Sequence, residues 1–157
     1  MTMLLSPIAR VQSARRAPDD DPWGLVIARI VLDERVPADA LHGLAEFSHV
    51  EVLFHLHLVA PESIIWGARH PRENPEWPRV GILAQRASGR PNRLGSTMVE
   101  LLDVEARAIV VRGLDAIDGS PVLDLRPVMR EFLPRGAIRQ PSWATALMRD
   151  YWCGGRT

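Results

Sequence analysis

Ser48-His-Val-Glu-Val-Leu-Phe-His-Leu-His-Leu58 alternates strictly. Ser48, Val50, Val52, Phe54, Leu56 and Leu58 fall on one face, and His49, Glu51, Leu53, His55 and His57 on the other. That pattern belongs to a strand with one side against a core. Working outward, Ser96 to Val104 and Ala108 to Leu114 are apolar runs joined by Glu105-Ala106-Arg107, the layout of a hairpin. Gly24 to Leu32 and Arg79 to Gln85 read as further strands, and the Asp118-Gly119 turn introduces another over Val122 to Arg126. Ser13 to Pro22 and Ala60 to Arg79 read as loops. Pro37 to Ala45 predicts one or two helical turns. Trp143, Leu147, Met148 and Trp152 share one side of an amphipathic C-terminal helix over about residues 141–152. Short strands joined by turn signals predict a mainly β fold, a barrel with short peripheral helices and a C-terminal helix. The expectation is a single domain over 1–157, with its core at about 7–134.

The 157 residues suffice to bury a core without staples. No apolar run reaches the length of a membrane span, and the start lacks the cationic-then-apolar pattern of a secretion signal. Cys153 is the single cysteine, which excludes an intrachain disulfide and a cysteine zinc cluster and fits a reduced, cytoplasmic setting. All 19 basic residues are arginine, balanced by 19 acidic ones. Without lysine there is no Schiff base and no Walker-type phosphate contact. Arginine is instead suited to clamping a carboxylate or phosphate through paired hydrogen bonds.

Chemistry concentrates in three places. Val80 to Gly95 runs from an apolar strand into a loop with Arg86, Arg90, Asn92 and Arg93. Such a loop is costly to order unless it holds an anionic or hydrogen-bonding group. Asp115, Asp118 and Gly119 crowd one bend, where a carboxylate suits a ribose diol or an ammonium; an Asp-Gly hairpin turn alone needs no ligand. His55 and His57 stand two apart on a strand with Glu62 beyond, a sketch of half a cupin-like metal site, but no second half follows. Neither a Gly-x-Gly-x-x-Gly fingerprint nor strand–helix alternation is present, so a doubly wound nucleotide-binding sheet is excluded. No serine has nucleophile-elbow surroundings.

The arginine loop, together with Leu114-Asp-Ala-Ile-Asp-Gly-Ser-Pro-Val-Leu-Asp-Leu-Arg-Pro127, resembles the TsaA-like (YaeB-like) family of S-adenosylmethionine-binding β-barrel proteins, over roughly Pro7 to Pro134. Phe47-Ser48-His49 and His57 match that family's histidine strand. The resemblance implies an irregular, partly open barrel, a homodimer, and S-adenosylmethionine held by His57, Arg86, Arg90, Asn92, Leu94, Gly95, Asp115, Asp118 and Gly119. His57 or His49 would serve as base where the methyl acceptor carries a proton. The family's tRNA enzymes read Thr-Arg-Ser-Pro, a variable residue, then Arg-Pro-Asn-Pro-Ile-Gly. Here Gln85, Ala87, Ser88 and Arg93 depart from that pattern. The expected function is therefore methyl transfer to a nitrogen or oxygen of a small-molecule or nucleoside-type acceptor, without metal. The tRNA threonylcarbamoyl-adenosine methyltransferase, a non-catalytic S-adenosylmethionine-binding module and a cupin-like metal protein are the alternatives.

Overall fold

The computed structural model describes residues 1–153. Its strands are β1 (Ala9–Ser13), β2 (Ile27–Leu32), β3 (His49–His55), β4 (Ala68–Arg69), β5 (Val80–Gly81), β6 (Leu94–Val104), β7 (Ala108–Arg112) and β8 (Pro121–Pro127), followed by the helix α1 (Ser142–Leu147). Six of them form a closed barrel in the order β1-β2-β7-β6-β3-β8, every pair antiparallel. The mainly β barrel with short peripheral helices is as expected. The ring is closed rather than partly open, through a short β1–β8 seam pairing Ala9 with Val122 and Arg10 with Pro121. Bulges that leave Leu123 of β8 unpaired opposite Leu53 and Phe54, and Leu102 of β6 unpaired opposite Val110 and Val111, bend β8 and β6, as a tightly curved sheet requires.

The alternation read from Ser48 to Leu58 holds over β3, with Val50, Val52 and Phe54 buried and His49 exposed, but the strand ends at His55. Val59 N–H donates to Leu56 O at 3.1 Å, so His57 lies in a turn beyond the strand and Leu58 is exposed rather than on the core face. The core face continues through Val11, Ile30, Val99, Ile109, Val111 and Val122. Gly95 pairs with Phe54 across the β3–β6 ladder. A Cβ at residue 95 would overlap the Phe54 ring, so this glycine makes room for the largest side chain inside the barrel.

β1, the stretch Arg79 to Gln85 and the C-terminal helix also differ from the sequence expectation, and β4 falls within the stretch read as a loop. β1 comes from Ala-Arg-Val-Gln-Ser, too short and too charged to stand out from a loop. Arg79 to Gln85 shrinks to β5 and a 3-10 turn, Ile82–Ala84, because Ile82 N–H donates to Gly67 O at 2.9 Å and the chain bends away. The C-terminal helix stops at Leu147 and runs on as turns, and Trp23 N–H donates to the carbonyl of Tyr151 at 2.7 Å. Pro37 to Ala45 forms the expected short turns, Ala38–Leu41 and Leu44–Glu46, with Leu41 buried. Among the described residues no helix is long and apolar enough to cross a membrane.

Candidate functional site

Antiparallel pairing sorts the loops between the two barrel ends. β1 finishes beside the start of β2 (Ser13 with Ala28), which adjoins the finish of β7 (Ile27 with Arg112). β3 finishes beside the starts of β6 (His55 with Leu94) and β8 (Phe54 with Val122). One end therefore carries the loops 14–26, 56–93 and 113–120. The other carries 33–48 and the β6–β7 hairpin.

His57, Arg86, Arg90, Asn92, Leu94, Gly95, Asp115, Asp118 and Gly119 all belong to the first end. His49 does not. It starts β3 at the opposite end, roughly 20 Å from His55 at the ordinary rise of a strand, and its Nδ1 meets the Ser48 hydroxyl at 2.7 Å. The structure thus separates the two histidines considered as a base.

The aspartate turn meets the turn that follows β3. Ser120 Oγ lies 3.4 Å from His57 Nδ1, and a Cβ on Gly119 would stand 3.8 Å from His57 Nε2. Gly119 has φ +79°, which favours glycine. Asp118 Oδ1 accepts from Ser13 N–H at 3.0 Å, and Asp118 N–H donates to Arg15 O at 2.8 Å, so the turn is fastened to the end of β1.

The arginine loop is held largely by its own arginines. Arg90 Nη1 donates to Gln85 O at 2.8 Å. Arg93, at φ 51°, donates from Nη1 to Val59 O at 2.8 Å, while its carbonyl accepts from Leu56 N–H at 2.8 Å. Arg93 therefore splints the loop to the segment carrying His57. Arg86 is exposed and donates to Ser96 O at 2.5 Å. Asn92 is exposed, and Leu94 is half-buried opposite His55. Gly95, expected to admit a ligand, also makes room for the Phe54 ring. Gln85 is buried, and its amide donates to Arg69 O at 3.1 Å and Val80 O at 2.9 Å, fixing the β4–β5 excursion.

Asp115 is half-buried and accepts from two hydroxyls, Thr97 on Oδ1 and Tyr151 on Oδ2. Burial, reinforced by Asp115, raises the Tyr151 pKa, so the phenol stays a donor. Sequence reasoning missed Thr97 and Tyr151. Thr97 left one trace, a polar residue at an inward position between Gly95 and Val99. Burial first, then Arg93 and His57, lowers the His55 pKa. Among the described residues no three histidine, cysteine, aspartate or glutamate side chains form a group that could hold a metal ion, which gives the cupin-like alternative no support. Trp66 is exposed, and Trp77 anchors its loop by accepting at its carbonyl from His70 Nδ1 at 2.7 Å.

Residues 12–132 match the family model for the tRNA-methyltransferase O N-terminal domain. A Homo sapiens protein named tRNA (adenine(37)-N6)-methyltransferase is 38% identical over 105 residues, 67% of this chain and 23% of that protein. An Archaeoglobus fulgidus S-adenosyl-L-methionine-binding protein is 32% identical over 128 residues, 79% of this chain and 88% of its own length. A crystal structure of TrmO from Pseudomonas aeruginosa superposes with a TM-score of 0.71 at 28% identity, covering 88% of this chain and 62% of that one. The chain thus spans less than a quarter of the mammalian relatives it matches, 22% of the mouse protein and 23% of the human one.

Proposed function

The chain belongs to the tRNA-methyltransferase O N-terminal domain family, and we propose that the end of the barrel carrying His57 binds S-adenosylmethionine and transfers its methyl group to a nitrogen or oxygen of a nucleoside-type acceptor. The observation that carries this reading is the convergence there of the arginine loop, the Asp118–Gly119 turn and His57. The donor set suits the cofactor. Arg86 commits one guanidinium nitrogen to Ser96 O and keeps further N–H groups for a carboxylate. Asp115 accepts from two neutral hydroxyls rather than from a cation, and can face an ammonium.

Bound S-adenosylmethionine supplies an electrophilic methyl carbon whose leaving group is a neutral thioether, so the reaction asks mainly for orientation. Arg86 and Asp115 fix the amino-acid end of the ligand, and the Gly119 backbone lets a ligand approach His57. Ser120 Oγ, next to Nδ1, orients the imidazole and leaves Nε2 turned toward Gly119. His57, not the remote His49, takes the proton from an acceptor that carries one.

Intact tRNA is a second reading, favoured by the mammalian relatives' name and by the exposed Arg79 and Arg86 at this end. The reading also includes a cytoplasmic homodimer. Met129, Phe132, Leu133 and Ile138 are exposed along the segment after β8, apolar surface that a second copy would cover.

Calorimetry with S-adenosylmethionine, followed by methyl transfer from labelled cofactor to free nucleosides or to tRNA lacking the modification, tests the proposal. Binding that raises the melting temperature is expected. Incorporation into nucleosides supports the first acceptor and incorporation into tRNA alone the second. No heat and no melting shift at millimolar ligand overturns both.

A further inference from the structure

Tyr151 lies beyond Phe132, the last residue matched by the family model, yet it reaches the candidate site. Two contacts fix it independently of that site. Its carbonyl accepts from Trp23 N–H at 2.7 Å, and its ring stands edge-on to Trp152, with centroids 4.8 Å apart and planes at 88°. From this position its hydroxyl donates to Asp115 Oδ2 at 2.5 Å, opposite the Thr97 hydroxyl on Oδ1.

Neither donor is a cation, although a guanidinium is close. Arg86 reaches the backbone of Ser96, the neighbour of the Asp115 donor Thr97, and its charge opposes the rise in the Tyr151 pKa. It nonetheless donates to Ser96 O, and no Arg86–Asp115 ion pair forms among the described residues. A carboxylate beside a guanidinium ordinarily pairs with it, and each charge then cancels the other. Here the carboxylate's two partners are neutral hydroxyl groups, which bring no opposing charge.

We propose that Tyr151 is a positioning residue for the ligand site: its hydroxyl, with that of Thr97, holds the Asp115 carboxylate for a cationic group of the ligand and keeps it from pairing with Arg86. The two opposite charges then stand ready for the zwitterionic amino-acid end of S-adenosylmethionine. This inference rests on the cofactor reading above. The C-terminal turn, outside the matched domain, is thereby part of the binding site.

The test is a double-mutant cycle read by calorimetry on the full chain with S-adenosylmethionine. Y151F removes one oxygen and keeps the ring, its contact with Trp152 and the backbone bond to Trp23. Its melting temperature should fall by only a few degrees, while the Kd rises roughly tenfold, the equivalent of about 1.4 kcal/mol. T97V should move the Kd in the same direction. D115N should weaken binding at least as much, and Y151F added to D115N should cost nothing further, because the hydroxyl acts only through that carboxylate. A merely structural tyrosine would give independent losses that multiply. Wild-type affinity in Y151F, or multiplying losses in the double variant, overturns the inference while the cofactor reading stands. Absence of binding by the wild-type protein overturns both.

Discussion

At one end of the barrel, β6 and β7 are joined by Glu105-Ala106-Arg107; at the other, β3 and β6 are joined by the whole stretch from Leu56 to Arg93. The short link is closed by local bonds: Glu105 N–H donates to Ala108 O at 2.8 Å, and Glu105 pairs with Arg29. The long link is closed by side chains reaching backbone carbonyls, namely Gln85, Arg90 and Arg93. A hairpin needs nothing beyond its turn. A loop of the second length must be fastened at several points, and the polar groups that fasten it are available to a ligand as well. The same strands thus support a closed end and a chemically furnished one.

The largest expected effect breaks the furnished end from inside. Gly95→Ala drives a methyl group into the Phe54 ring, and should destabilise the protein by about 3 kcal/mol, the upper part of the range for overpacking. Gly95→Ala with Phe54→Leu should recover part of that loss in a urea titration. If Gly95→Ala instead kept its stability and lost only ligand binding, residue 95 would be a ligand contact and not a packing position.

Histidines at the two ends give the next contrast. His57→Ala should lower methyl transfer by about 100-fold, the smaller end of what a positioned base contributes. His49→Ala should leave the rate unchanged and shift stability by less than about 0.5 kcal/mol, as ordinary surface substitutions do. Equal losses in a single-turnover assay would mean that the barrel ends do not divide the chemistry.

A matched pair of anchors sharpens the comparison further. Asp118 accepts from Ser13 N–H at the furnished end. Arg107 Nη2 donates to Asp33 O at 2.9 Å and Val36 O at 3.0 Å at the closed one. Removing either side chain should cost about 1.5–2 kcal/mol, the loss of a hydrogen bond to a charged group. Only Asp118→Ala should also weaken S-adenosylmethionine binding, since it frees the turn that carries Gly119 against His57. Calorimetry on both variants at equal fractions folded separates the two effects.

The sequence made the scaffold legible wherever burial repeats with the period of a strand, as on β3 and β7. It made β1 illegible because five residues with Arg10 and Gln12 outward carry little apolar signal. The site was legible as motifs and illegible as partnerships. Arg86, Asp118 and Gly119 stood out by residue type and spacing. Tyr151 could not, because the Asp115–Tyr151 bond joins residues far apart in the chain and no local pattern encodes it. Gly95 was legible as a glycine, but its reason, a ring across the ladder, belongs to the register of β3 on β6.

The smallest expected effect concerns His55, at the junction of β3 with the long loop. Burial first, then the positive Arg93 and the neighbouring His57, lowers its pKa. The unfolded chain, with its histidine near the ordinary value of about 6.5, therefore takes up a proton at a higher pH than the folded protein does. Protonation favours the unfolded state, so this contribution to stability is fully present above about pH 6.5 and is lost as the pH falls through it toward the lower folded value. The melting temperature of the wild type should decline slightly between pH 8 and pH 5.5. His55→Asn, which cannot gain that charge, should decline less, and the two curves should separate below about pH 6.5. Raised ionic strength should narrow the separation, because it screens the exposed part of the Arg93 contribution and leaves the burial contribution intact. Parallel curves across the whole interval would show that the proton uptake of His55 is the same in the folded and unfolded chains, and that this junction is no more enclosed than the strand end carrying His49.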